Sequence, residues 1–248
     1  MNSPGDKVSN ASVSEYSNDR GPSLEHQQFF AAIVDALPDV PVLPETLLAL
    51  ELQRHEFSLD LQAISQVVLR DPGATLQILR LAARECGDSE DRPVRMEDCI
   101  SNLGLQACIH VLESNAPVRT PHSRSIVELW EHCRDIARNA RQVAEQMPGN
   151  ISPDQAYLGG LLHCLGYLPR LLGWRDREFE AHPALVALRI AERWSLPTFL
   201  KDLFCETYMP GYDSQWSEII ELAHRLPAAS SVCCPIGDVL CSLFPLRA

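Results

Sequence analysis

Histidines and cysteines carry most of the chemistry available to this chain, with eight His and nine Cys in 248 residues. Two His-Cys doublets occur: His132-Cys133, in the run Leu-Trp-Glu-His-Cys, and His163-Cys164, in Gly-Gly-Leu-Leu-His-Cys-Leu. A thiol near an imidazole suggests nucleophilic catalysis, in which the histidine takes the thiol proton. Cys164 with His132 as base is one such pairing. That chemistry needs a water-accessible pocket, and a cysteine in a Leu-rich run more often packs as a small apolar side chain. A second chemistry is redox sensing, resting on the adjacent Cys233-Cys234 or on Cys164. Mild oxidant would then change oligomeric state or partner binding. The other cysteines are 86, 99, 108, 133, 205 and 241, and no pair has C-x-x-C spacing. Neither G-x-G-x-x-G nor G-x-x-x-x-G-K-[ST] is present, so no phosphate-cradling loop is visible.

The elements that must position these residues are helices. Leu, Ala, Glu, Gln and Arg dominate, and all are good helix formers. Alternating Val/Ile/Thr runs and Asn-Gly or Asp-Gly hairpins are missing. Composition is ordinary for a globular protein, 46% hydrophobic and 22% charged. The formal net charge is −12, with 33 acidic side chains against 21 basic ones. Nucleic-acid binders neutralise phosphates with clustered Lys and Arg, so neither nucleic acid nor an anionic membrane is an expected partner. An odd cysteine count, no charged-then-apolar leader and no run of membrane-spanning length together lead us to expect reduced thiols and a cytoplasmic location.

Residues 1–24 are polar and read as a disordered tail. Phe29, Phe30, Ile33, Val34 and Leu37 then fall on one helical face. Pro38, Pro41 and Pro44 interrupt it, and a helix over 45–54 follows. Ser58 is the expected N-cap for 59–69. Asp71-Pro72 marks a sharp restart, with Asp as cap and Pro in the first turn. Short helices follow over 96–103, ended by Gly104, and over 105–113. The segment 117–123 is the best internal boundary. Beyond it come a long helix over 125–147, one after Ser152-Pro153, and further helices near 184–194, 198–206 and 216–226. Gly159-Gly160 would let two helices approach closely. Trp130, Trp174, Trp194 and Trp216 are expected as core anchors. The fold class is therefore all-α: a compact multi-helix bundle, with one helical half over 25–118 and a second over 119–248, packed as one continuous unit.

The order of these landmarks resembles the HDOD family, the HD-related output domains. The likeness lies in LPDVPVLPETLLAL and LQAISQVVLRDPGATLQILRLA, then ISNLGLQACIHVL. It continues in LWEHCRDIARNARQVAEQM, DQAYLGGLLHCLGYLPRLL and HPALVALRIAERWSLP. It covers about residues 37–210 and rests on the ordered set, with the Asp71-Pro72 restart and the Gly-Leu-Leu-His run as its most specific parts.

The resemblance implies an HD-like second half and a signalling role, mainly in bacteria, exercised by binding or arranging partners. HD phosphohydrolases hold a metal with two His and two Asp, because imidazole plus carboxylate leaves positions open for water and phosphate. By that likeness, His132 stands at the first ligand, His163 at the His of the doublet and His182 at the start of the closing helix. The doublet Asp, however, is Cys164. Thr207-Tyr208 aligns with a later His-His pair of the family, and Asp202 is the nearest late acidic residue. His132, His163, Cys164 and His182 thus read as remnants of a decayed metal site, with no catalytic residue, metal or cofactor expected. A structural zinc on those four side chains is a possible use of them, although neighbours on one helix point about 100° apart.

The expected function is a non-enzymatic regulatory module that binds a protein partner or a small ligand. The alternative is a divergent metal-dependent HD phosphohydrolase acting on a nucleotide or phosphate ester through His132 and His163.

Overall fold

The computed structural model describes residues 40–54, 60–86, 95–114, 123–172, 182–208 and 214–227. The expected tail, the helical face at 29–37, Ser58, Trp174 and Cys233-Cys234 lie outside them. Among the described residues there is no strand. In chain order the helices are α1 (Pro44–Arg54), α2 (Leu61–Leu69), α3 (Pro72–Cys86), α4 (Met96–Leu103), α5 (Leu105–Ser114) and α6 (Ser123–Gln146). Then come α7 (Pro153–Leu162), a 3-10 turn (Leu165–Tyr167), α8 (Leu168–Leu171), α9 (Pro183–Arg193), α10 (Thr198–Tyr208) and α11 (Gln215–Arg225). Leu165, expected on the helix that follows Ser152-Pro153, instead opens the 3-10 turn, because that helix ends at Leu162.

Local signals account for most of the helix starts. Ser152 accepts from the Gln155 backbone N–H while the Gln155 side chain accepts from the Ser152 N–H, and Pro153 occupies the first turn. This reciprocal box satisfies two of the donors that open every helix. The start of α2 differs from expectation. Its cap is Asp60, whose carboxylate accepts from the Gln62 and Ala63 N–H groups at 3.0 and 3.1 Å.

Asp71 does more than cap α3. Its carboxylate accepts from the backbone N–H of Gly73 (2.9 Å) and Ala74 (3.2 Å) in that helix. It also accepts from the N–H of Leu43 at 2.8 Å, which ties the entry segment 40–43 to the α3 start. A Cβ at Gly73 would lie 2.1 Å from the Pro41 carbonyl oxygen, so only glycine permits that approach. Helix α3 is buried all round from Pro72 to Leu79, the pattern of a central helix rather than a surface one.

The long helix α6 is the spine of the second half. It packs along α7 and α11, while α9 lies against the 3-10 turn and α10. The two expected glycines have separate tasks. A Cβ on Gly160 would come within 2.8 Å of the Ala137 Cα and 2.9 Å of the Ile136 carbonyl oxygen in α6. A Cβ on Gly159 would meet the Trp216 ring of α11 at 2.6 Å. Trp130, Trp194 and Trp216 are buried, and buried apolar residues of both halves form one cluster. Cys99, Cys108, Cys133 and Cys164 are buried within it and Cys205 is half-exposed. Burial pushes the Cys108 thiol up to about 11, so it stays protonated and packs as a small apolar group. No described helix is long and apolar enough to cross a membrane.

Candidate functional site

Helix α7 ends at Leu162, and His163 is its C-cap. The last carbonyls of a helix lack intrahelical partners. His163 meets one of them directly: its Nδ1 lies 2.6 Å from the Gly160 carbonyl oxygen. Donation there fixes the tautomer, placing the proton on Nδ1 and the lone pair on Nε2.

The Nε2 of His163 lies 3.2 Å from Nε2 of His132, which projects from the middle of α6. Since His163 carries its proton on Nδ1, His132 is the donor in that contact. The Cys164 Sγ lies 3.0 Å from the same His163 nitrogen. A third imidazole completes the group. His224, in the last turn of α11, has its Nδ1 2.7 Å from the Ile220 carbonyl oxygen. Its ring centroid is 5.3 Å from that of His132 and 5.1 Å from that of His163. One ring nitrogen from each of the three lies within 4.8 Å of the others.

The surroundings hold all three rings neutral. His163 is fully buried, and burial above all, then the neighbouring His224 and His132, pulls it well below the ordinary range against the Gly160 hydrogen bond. Burial takes His132 down to about 4, with His224 adding to the effect and Asp135 opposing it. His224 is lowered by burial, against its bond to Ile220. A cationic imidazole here would be desolvated and would face two others.

A pH dependence follows. Between the folded and unfolded pKa values, the unfolded chain binds more protons than the folded one. Stability is therefore full above about pH 6.5 and is lost as the pH falls toward 4. Moving His132 from 6.5 to about 4 corresponds to roughly 3 kcal/mol once the fall is complete. Urea unfolding of metal-free protein at about pH 5 should show about 2 kcal/mol less stability from this residue than at neutral pH. His132→Phe should flatten the profile by that amount, and an unchanged slope would remove His132 from the account.

Of the four residues expected together, the structure groups His132, His163 and Cys164 at or near one point. His182 is elsewhere: it is exposed, and its Nδ1 accepts from the Ala184 N–H at 3.3 Å as the N-cap of α9. We expect His182→Ala to lower stability by about 0.5–1 kcal/mol, read as a small fall in melting temperature, with the histidine cluster intact. Asp202 lies exposed on α10, away from the histidines, and Thr207-Tyr208 ends that helix. The third residue beside His132 and His163 is His224, unanticipated. The available signal was its place beside Ile219, Ile220 and Ala223 on the buried face of α11. Cys164 also belongs to a second group with Cys133 and His163. Cys133 and Cys164 line a small apolar pocket with Pro72, Leu76, Trp130 and Leu168.

The fold is that of an all-α helical domain with three histidines brought together at one point. The HDOD domain model matches residues 40–177, more than half of the chain, and the chain belongs to that family. No curated protein matches it by sequence. Among solved structures it is similar to the MmoQ response regulator of Methylococcus capsulatus, at 18% identity over 82% of this chain and 93% of that one, with a TM-score of 0.63. It is also similar to a virulence factor of Campylobacter jejuni, at 14% identity over 81% of this chain and 79% of that one, with a TM-score of 0.58. At such identities the likeness is one of fold.

Proposed function

We propose that this chain is a non-enzymatic regulatory module that works by binding a protein partner or small ligand, in the cytoplasm of a bacterium. The observation that carries the reading is the donor set at the HD-like centre. Among the described residues, the potential metal-holding groups contain imidazoles and thiols and no carboxylate. Phosphoryl chemistry on Mg or Mn relies on oxygen ligands. By the family likeness Cys164 stands at the doublet position, and it is buried at the apolar pocket that it lines with Leu165 and Leu168. The structurally similar Methylococcus protein is named as a response regulator, which fits a signalling role. A net charge of −12 disfavours nucleic acid and anionic membranes as partners.

The test has two arms. Purified protein, supplied with Mg, Mn or Zn, is offered p-nitrophenyl phosphate, its bis-ester and the common nucleotides. No metal-stimulated turnover is expected. Turnover that disappears in His163→Ala would overturn the reading in favour of a divergent phosphohydrolase. In the second arm, crosslinking in the native cell should yield a signalling protein whose complex can be rebuilt from purified components.

A further inference from the structure

We propose that His132, His163 and His224 form a binding site for one divalent transition-metal ion of the zinc class. The site differs from the oxygen-containing set of HD hydrolases, and it includes a residue that the family likeness does not supply. It goes beyond the regulatory reading and is tested separately from it.

The first argument is convergence. Three helical segments that are distant in sequence each deliver one imidazole to the same point: α6, the end of α7 and α11. Their ring nitrogens lie within 4.8 Å of one another. The 3.2 Å between the Nε2 atoms of His132 and His163 is close to a ligand–ligand edge of a tetrahedral zinc site. With Zn–N bonds of about 2.0–2.1 Å, that edge is about 3.3 Å.

The second argument is orientation. Ligating histidines usually donate the other ring N–H to a carbonyl or carboxylate, which fixes the ring and raises the basicity of the metal-facing nitrogen. Here two of the three rings do so, both to carbonyls of their own helices. His163 uses Gly160 at 2.6 Å and His224 uses Ile220 at 2.7 Å. In each case the lone pair is left on Nε2. His132 must give up its hydrogen bond to His163 when the ion enters. Its proton moves from Nε2 to Nδ1, so the neutral ring becomes a ligand with no net proton released.

The third argument is donor chemistry. An all-imidazole set selects zinc, copper or nickel over magnesium and calcium. Three nitrogens leave one tetrahedral position for water or another small ligand. The competing group of Cys133, His163 and Cys164 would put negative charge beside a pocket lined by Leu76, Leu129, Leu161 and Leu165, where a buried charge is costly. The two groups share His163, so one ion at that nitrogen must choose between them. An ion on the three histidines fastens α11 to α6 and to the end of α7.

The experiment uses the full chain, purified without a tag and stripped with chelator. Co(II) is titrated in as a spectroscopic probe, and Zn(II) is followed by elemental analysis after desalting and by thermal melting. The expected result is about one ion per chain, visible d–d absorption of tetrahedral cobalt without a thiolate charge-transfer band, and a higher melting temperature with zinc. His224→Ala and His132→Ala should each weaken binding at least ~100-fold, the upper end of what loss of even an outer-shell partner does. His182→Ala should bind as the parent does. Far-UV circular dichroism checks that each variant is folded. If His224→Ala is not, His132→Ala and the parent spectrum decide. Folded parent protein that takes up no ion overturns the proposal. So does uptake unchanged in folded His224→Ala, or a thiolate band that vanishes in Cys164→Ser, which would put the ion on the cysteine group.

Discussion

Asp71→Ala is expected to destabilise the protein by about 3–5 kcal/mol, the largest effect we predict for one side chain. The carboxylate is fully buried and accepts from three backbone N–H groups: Leu43, Gly73 and Ala74. Burial still raises its pKa, against the lowering effect of those bonds and of Thr46. Alanine leaves each donor buried without its acceptor, and an unmet buried donor costs about 1–3 kcal/mol. The loss of an N-cap alone would account for only about 1 kcal/mol. Asp71→Asn separates the two roles. One amide oxygen can still cap α3, but the amide NH2 cannot accept from Leu43. The Asn variant should therefore fall between the parent and Ala. Urea titrations of the three proteins measure this. If Asn is as damaging as Ala, the tie to Leu43 dominates; if Ala costs no more than about 1 kcal/mol, Asp71 is only a cap.

Gly160→Val should cost at least about 3 kcal/mol and should also disable the histidine centre. The position faces the α6 backbone, not a side chain that could rotate away. The first added carbon alone would lie 2.8 Å from the Ala137 Cα and 3.0 Å from its nitrogen. Overpacking that only the backbone can relieve is at the costly end of its range. The helices must part, and His132 and His163 ride on them. A few tenths of an ångström would lengthen the 3.2 Å contact between their nitrogens. Gly160→Ala is the milder control, because the better helix propensity of alanine offsets about 1 kcal/mol of the clash. The measurements are thermal melting and cobalt uptake by the same samples. A valine variant of parental stability would mean that the α6–α7 approach is not tight. A destabilised but folded variant that still binds cobalt like the parent would separate the packing from the site.

Much of this architecture was legible because its causes are local. Asp71-Pro72 starts a helix by side-chain capping and by a fixed φ, and both act within one turn. Ser152, Pro153 and Gln155 do the same for α7. Gly159-Gly160 announced a close approach, since a pair without Cβ atoms inside an apolar helix has few other uses. The periodic apolar face of α6 fixed which side of it is buried. The family likeness placed His132 and His163 together, and their nitrogens do meet.

Other features needed the tertiary structure. Ser58 and Asp60 are equally good caps by type, and Asp60 is the one whose carboxylate reaches the first N–H groups of α2. His182 looked like a site residue by position, yet its ring turns back onto its own helix start. His224 was the hardest to see. Periodicity says that the α11 face carrying Ile219, Ile220 and Ala223 is buried, but not against which helix. That choice is made by packing: Trp216 of α11 fits over Gly159, and Asn139 of α6 donates to the Ala223 carbonyl at 2.9 Å. Those contacts bring α11 to the end of α7 and the middle of α6. The sequence by itself determined that helices form and where most of them start, and its family likeness paired two histidines whose nitrogens lie 3.2 Å apart. Which third side chain joins them was decided only by the packing of α11, because a helix carries its own capping signals but not the identity of its neighbour.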